Sequence, residues 1–118
     1  MLGAWNRAEI SITATAHPRI ILLRSRFPNA LGAIGYRFAP VVVGESEMMW
    51  GRKLTVAQFE PGWLDMTALV ACLNEMEPGW GGSGTIIGSP IGKACGLSLE
   101  TIVAYVIDLL LPQTNTQA

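Results

Sequence analysis

Glycine stands at Gly79, Gly81, Gly82, Gly84, Gly88 and Gly92 within the uncharged stretch that runs from Pro78 to Gly92. Gly loses more backbone freedom on folding than any other residue, so a run this dense implies a backbone that must take positive φ or approach something closely. Small residues with free N–H groups can build an anion-binding concavity, to which hydroxyls add further ligands. On that reading Gly81, Gly82, Ser83, Gly84, Thr85, Gly88 and Ser89 form a ligand-binding set within loop 79–92. Lys93, just past the loop, would place positive charge over it. The competing account is a tight connection that lets a helix pack closely on a sheet, with Lys93 solvated. Both accounts stay open on the residues alone.

Other chemistry is scarce. The single histidine, His17, precedes Pro18 in a turn and has no nucleophile–base–orienter set around it. Ser83 lies in no Gly-x-Ser-x-Gly elbow. Cys72 and Cys95 match no metal or disulfide spacing. Arg24, Arg26, Arg52 and Lys53 flank strand ends, as edge charges or as a basic rim suited to a single-stranded backbone. Trp50 with Met49 on a turn suits contact with a partner, and Trp80 suits packing. No catalytic residue and no metal ligand is assigned.

The chain has 118 residues, 50% hydrophobic and 14% charged, with a formal net charge of −1. That length is one domain, and the composition argues against disorder. So apolar a chain suggests surface covered by another domain or a second copy. Without a basic run, a tight grip on duplex DNA is not expected. The amino end shows no signal peptide, and the most apolar segment, 99–111, carries Glu100 and Asp108 and is too short to span a bilayer. The expectation is a soluble, cytoplasmic protein without membrane association.

The elements that must position the glycine run follow in order. Residues 8–15 alternate as a strand with one wet face, and 19–24 pair back as a hairpin. From Ala30, the spacing of Leu31, Ile34 and Phe38 predicts a helix ended by Pro40. Val41 to Val43 reads as a short central strand, Gly44 to Gly51 as a polar turn, and Lys53 to Phe59 as another strand. Asp65 caps a helix whose apolar face is Met66, Leu69, Val70, Leu73 and Met76. Thr85 to Ile87 could add a short strand inside the loop, and Ser98 caps a last helix over 99–111. The expected fold is α/β (α+β): a mixed β-sheet of about 4–5 strands with helices packed against it, in one domain over 1–118 with flexible tails at 1–7 and 112–118.

This order of parts resembles the C-terminal DHH-associated domain of the DHH phosphoesterases, the superfamily of RecJ-like exonucleases and oligoribonucleases. The stretches that carry it are Ala39 to Gly44, Lys53 to Gln58, Asp65 to Glu75, and Gly81 to Gly88 on the family's glycine motif. The family histidine of that motif falls on Ser83 and the strand arginine on Ala57, the groups that help hold substrate phosphate in the family. The catalytic half with its Asp-His-His signature is not in this sequence, and Asp65, Asp108 and His17 cannot supply a two-metal centre.

The resemblance implies a non-catalytic recognition domain of a DHH-type phosphoesterase system. It would take a phosphate-containing small molecule or short single-stranded nucleic acid weakly in loop 79–92, beside a catalytic DHH domain or as a homodimer. No cofactor is expected in this chain, and Mn or Mg enters only with a catalytic half elsewhere. Gly82→Val is expected to abolish binding in a domain that stays folded. The alternative is a protein-interaction or oligomerisation domain with a purely structural loop, its contact surface including Met48, Met49 and Trp50.

Overall fold

Aliphatic and β-branched residues build a sheet at the centre of this molecule, and two short amphipathic helices cover one side of it. The computed structural model describes residues 10–15, 17–25, 36 and 39–112. The strands are β1 (Ile10–Ala14), β2 (Ile20–Ser25), β3 (Val41–Met48), β4 (Gly51–Gln58), β5 (Gly81–Gly82) and β6 (Ile86–Gly88). The helices are α1 (Met66–Met76) and α2 (Leu99–Asp108). The sheet is six-stranded, in the order β1-β2-β3-β4-β6-β5. β2 and β3 are parallel and the other neighbours antiparallel, so the sheet is mixed.

Register assigns the two faces. Val43 lies opposite Val56, which lies opposite Ile87, while Val41 lies opposite Gln58. This inner face packs on both helices. Ile20, Val43, Leu54, Val56 and Ile87 meet Leu69 and Leu73 of α1 and Ile102 and Val106 of α2, all of them buried. Burying each such side chain contributes roughly 1.5–3 kcal/mol, which is what holds two short helices on the sheet. On the outer face Ile21, Leu23 and Val42 form a smaller cluster with Ala39. Lys53, Thr55 and Ala57 continue that face across β4, opposite Ser46, Gly44 and Val42 in turn.

Polar groups fasten the ends of these elements. The Asp65 carboxylate accepts from the Ala68 amide at 3.1 Å, and the Ser98 hydroxyl accepts from the Thr101 amide at 3.1 Å. Caps of this kind contribute about 1 kcal/mol each. Glu45 receives hydrogen bonds from Arg24 Nε and Arg52 Nε, and Arg52 Nη1 also donates to the Leu97 carbonyl at 2.6 Å. Burial raises the Glu45 pKa, but the two guanidinium groups outweigh it and hold the carboxyl below its ordinary range.

Several sequence expectations need correction. Six strands replace four or five, because the glycine run itself forms β5 and pairs with β6. The expected polar turn from Gly44 to Gly51 is strand for most of its length. Glu45 is neutralised by its two arginines, so its charge does not break the ladder, and the turn shrinks to Met49-Trp50. Gly51 follows at φ 126°, and a Cβ there would come within 2.7 Å of Ala94 Cβ. α2 ends at Asp108, short of Pro112, because the chain turns back: Leu110 bridges to Leu64 and the Leu111 amide donates to the Trp63 carbonyl. Apart from Tyr36, the helix expected from Ala30 lies outside the described residues, as do Arg26 and the tails at 1–7 and 113–118.

Candidate functional site

The glycine stretch forms a small β-hairpin at one edge of the sheet. Asn74 sets its start: its Oδ1 accepts from the amides of Gly79 at 2.8 Å and Trp80 at 2.9 Å, and its Nδ2 donates to the Trp80 carbonyl at 3.0 Å. Gln58 holds its tip, with Nε2 donating to the Gly84 carbonyl at 2.7 Å. The Gln58 Oε1 accepts from Trp63 N at 3.1 Å and Leu64 N at 3.0 Å, so one buried amide ties the hairpin to the lead-in of α1. Gly82 has φ 154°, and a Cβ on it would stand 2.2 Å from the Ile86 carbonyl oxygen. Only glycine lets the two strands approach that closely.

Most of the amides that a phosphate-binding loop would need are already engaged. Ser83 N donates to Ile86 O at 2.8 Å, Thr85 N to Ser83 Oγ at 3.3 Å, and Ser89 N to Leu54 O at 2.9 Å. The Ser89 hydroxyl is buried and accepts from Leu54 N at 2.9 Å, locking the segment to β4. Ser83 and Gly84 sit exposed at the hairpin tip, with Thr85 half-buried beside them. At the tip the Ser83 amide is thus spent on the Ile86 carbonyl and the Thr85 amide on the Ser83 hydroxyl.

What the hairpin does create is a groove. It lies on the outer face of the sheet, about 560 Å³ in volume, over a floor of Gly79, Gly81, Gly82 and Gly88. Ile86 and Ile91 wall it, and Lys53, Thr55 and Ser89 close the β4 side. That volume falls within the roughly 300–1,000 Å³ of small-molecule sites. The Lys53 ammonium lies over Gly88, 2.9 Å from where a Cβ would be, and donates to the Ser89 carbonyl at 3.0 Å. Among the described residues no carboxylate forms an ion pair with it. Burial pushes its pKa below the ordinary lysine value of 10.5. The groove can thus offer one partly desolvated cation above a flat floor without side chains.

Of the sequence-derived set, Gly81, Gly82, Gly88 and Ser89 line this groove, whereas Ser83, Gly84, Thr85 and Lys93 do not. Lys93 is exposed, and its charge acts on Glu77 instead. Glu77 is buried at the end of α1 and accepts from Gly96 N at 2.7 Å, Trp80 Nε1 at 3.0 Å and Cys95 Sγ at 3.2 Å. Burial raises its pKa, but these donors and Lys93 together bring it below the ordinary 4.5. The Cys95 thiol is pushed up by burial, which suits a packing role. Among the described residues no group of three or more potential ligands is placed to hold a metal ion.

Sequence reasoning missed Lys53 as the charged member of the site. Its signal was the alternation Lys53, Thr55, Ala57 on one strand face, which needs only the neighbour β6 to become a groove wall. Of the basic rim expected from Arg24, Arg52 and Lys53, the two arginines are spent on Glu45, leaving Lys53 in the groove. Trp80 is buried as expected, while Met49 is fully exposed at its turn.

No protein-family model matches this chain, and no curated protein matches it. Among the described residues no helix is long and apolar enough to cross a membrane.

Proposed function

We propose that this chain is a non-catalytic recognition domain that holds a small phosphate-bearing ligand, or the end of a short single strand, in the glycine-floored groove. The observation that carries the reading is the Lys53 ammonium, drawn over Gly88 at the groove floor with no carboxylate paired to it among the described residues. A phosphoryl group there would gain a charge-assisted contact, and a flat base or sugar would lie on glycines that obstruct nothing. The sequence resemblance supports the same face: Ala57, which takes the place of the family arginine, shares the outer face of β4 with Lys53 and Thr55. A catalytic DHH-type domain on another chain or segment would then act on what this groove presents. One cation and an open groove imply weak binding, with a dissociation constant on the order of 1 mM, or about 4 kcal/mol.

An amide-resolved NMR titration with inorganic phosphate and then a dinucleotide tests this. Saturable shifts are expected at Lys53, Gly81, Gly88 and Ser89, and their loss in Lys53→Met. Binding should also weaken as pH rises, beginning below the ordinary lysine range, because burial lowers the Lys53 pKa and the neutral amine loses its hold on the anion. Absence of shifts at millimolar dinucleotide would refute the reading. One observation favours the alternative of an interaction domain. Met49 and Ile91 stand almost fully in water at 104% and 86% relative exposure, as contact residues do. In that case the groove would be a by-product of hairpin packing.

A further inference from the structure

The opposite edge of the sheet carries a second feature, independent of the ligand reading. β1 is the outermost strand, and among the described residues no strand lies beyond it. Ser11, Thr13 and Ala14 are exposed and Ile12 keeps 36% of its surface in water, so among the described residues nothing fully covers either face of the strand. Its sequence, Ile-Ser-Ile-Thr-Ala, has strong β propensity and lacks the Lys, Pro or bulge with which monomeric proteins blunt an edge. A largely apolar trough of about 300 Å³ runs beside it on the inner face, lined by Thr15, Leu22, Leu99, Val103, Ala104 and Ile107, with Glu100 as its one charged member. The bare edge and the trough are neighbours on one side of the molecule.

We infer that β1 is a homodimer edge, where two copies pair antiparallel and continue their sheets into one. Antiparallel pairing of identical strands is isologous, so the patch must be complementary to itself. β1 meets that demand. A two-fold axis through Ile12 sets Ile12 against Ile12, Ser11 against Thr13, and Ile10 against Ala14, apolar with apolar and hydroxyl with hydroxyl. No charge faces a like charge in this register. Because the axis stands perpendicular to the sheet, both inner faces remain on the same side. Each trough is then flanked by the other copy rather than by water. A second copy explains both features, and it accounts for how apolar the chain is, with a mean hydropathy of +0.37.

The test exploits the self-opposition of Ile12. Ile12→Lys and Ile12→Glu replace a side chain that is 36% exposed in the single chain, so both should keep the wild-type circular dichroism, and each should unfold at a lower, concentration-independent midpoint because the dimer's stabilisation is lost. Sedimentation velocity should give twice the chain mass for wild type and the single-chain mass for each variant alone, since like charges directly opposite are destabilising. Mixing the two variants should restore the doubled mass, because Lys then faces Glu. A wild-type monomer, single variants that remain dimeric, or a mixture that stays monomeric would each overturn the inference. A wild-type monomer that dimerises only after removal of residues 1–9 would overturn it too, assigning the edge to the chain's own amino-terminal segment.

Discussion

Gly81 and Gly82 are adjacent, chemically identical and members of the same short strand, yet substitution should affect them very differently. A Cβ on Gly81 meets nothing within 4 Å, whereas one on Gly82 comes within 2.2 Å of Ile86 O and 2.7 Å of Ile87 Cα. Both obstacles at Gly82 are backbone, so no rotamer change relieves them. Keeping the pairing in Gly82→Ala would require unfavourable φ, about 1–3 kcal/mol, plus overpacking of about 1–3 kcal/mol. Opening the hairpin instead forfeits the Ser83 N–Ile86 O bond and the β5–β6 pairing, a few hydrogen bonds at about 0.5–1.5 kcal/mol each. The two routes cost comparable amounts, so the variant should lose about 2–3 kcal/mol by whichever is lower and lose protection of the Ser83 amide. Gly81→Ala should stay within about 0.5 kcal/mol of wild type. Urea unfolding with matched m-values measures the difference, and hydrogen exchange at Ser83 locates it. If the two variants unfold within about 0.5 kcal/mol of each other, the close approach at Gly82 is not what the glycine is for. The same geometry corrects the expectation that Gly82→Val removes binding alone: it would open the hairpin as well. Gly81→Val is the better probe of the groove, because it fills the floor without touching the pairing.

Three further outcomes follow from the polar contacts. Gln58→Leu should destabilise the domain by about 2–3 kcal/mol, since the amides of Trp63 and Leu64 and the Gly84 carbonyl lose their partner; equilibrium unfolding reads this directly. Glu77 has a folded-state pKa below its unfolded value, so its contribution is present above about pH 4.5 and lost as pH falls through the folded pKa. In Glu77→Gln the acid limb of a stability–pH curve should flatten, Glu45 supplying what remains of it, and an unchanged limb would remove Glu77 as a contributor. Arg52→Met should cost about 1–3 kcal/mol, because its guanidinium also satisfies the Leu97 carbonyl, whereas Arg24→Ala, 63% exposed, should change stability by less than about 1 kcal/mol; equal losses would show that the carbonyl bond contributes nothing.

Local elements were legible in the amino-acid order wherever one residue's neighbours in the chain decide the outcome. Alternation marked β1 and β4, Asp65 and Ser98 marked the starts of the helices, and the 3.6-residue spacing of Leu69 and Leu73 marked the buried side of α1. The α+β class with a mixed sheet followed from the order of those elements. Which of the glycine-run amides are engaged was not legible until the strands had paired. Whether an amide is free to meet an anion depends on what lies across from it, and here Ile86, Leu54 and the Ser83 hydroxyl lie across from them. Glu45 looked like a turn residue because its guanidinium partners come from two other strands. Lys53 looked like an edge charge because Gly88, the residue that leaves room beneath its ammonium, is paired one strand away and distant in the chain. Period and capping are properties of a segment, and the sequence displays them. A groove and its charge belong to the distances between segments, which exist only once the sheet has closed.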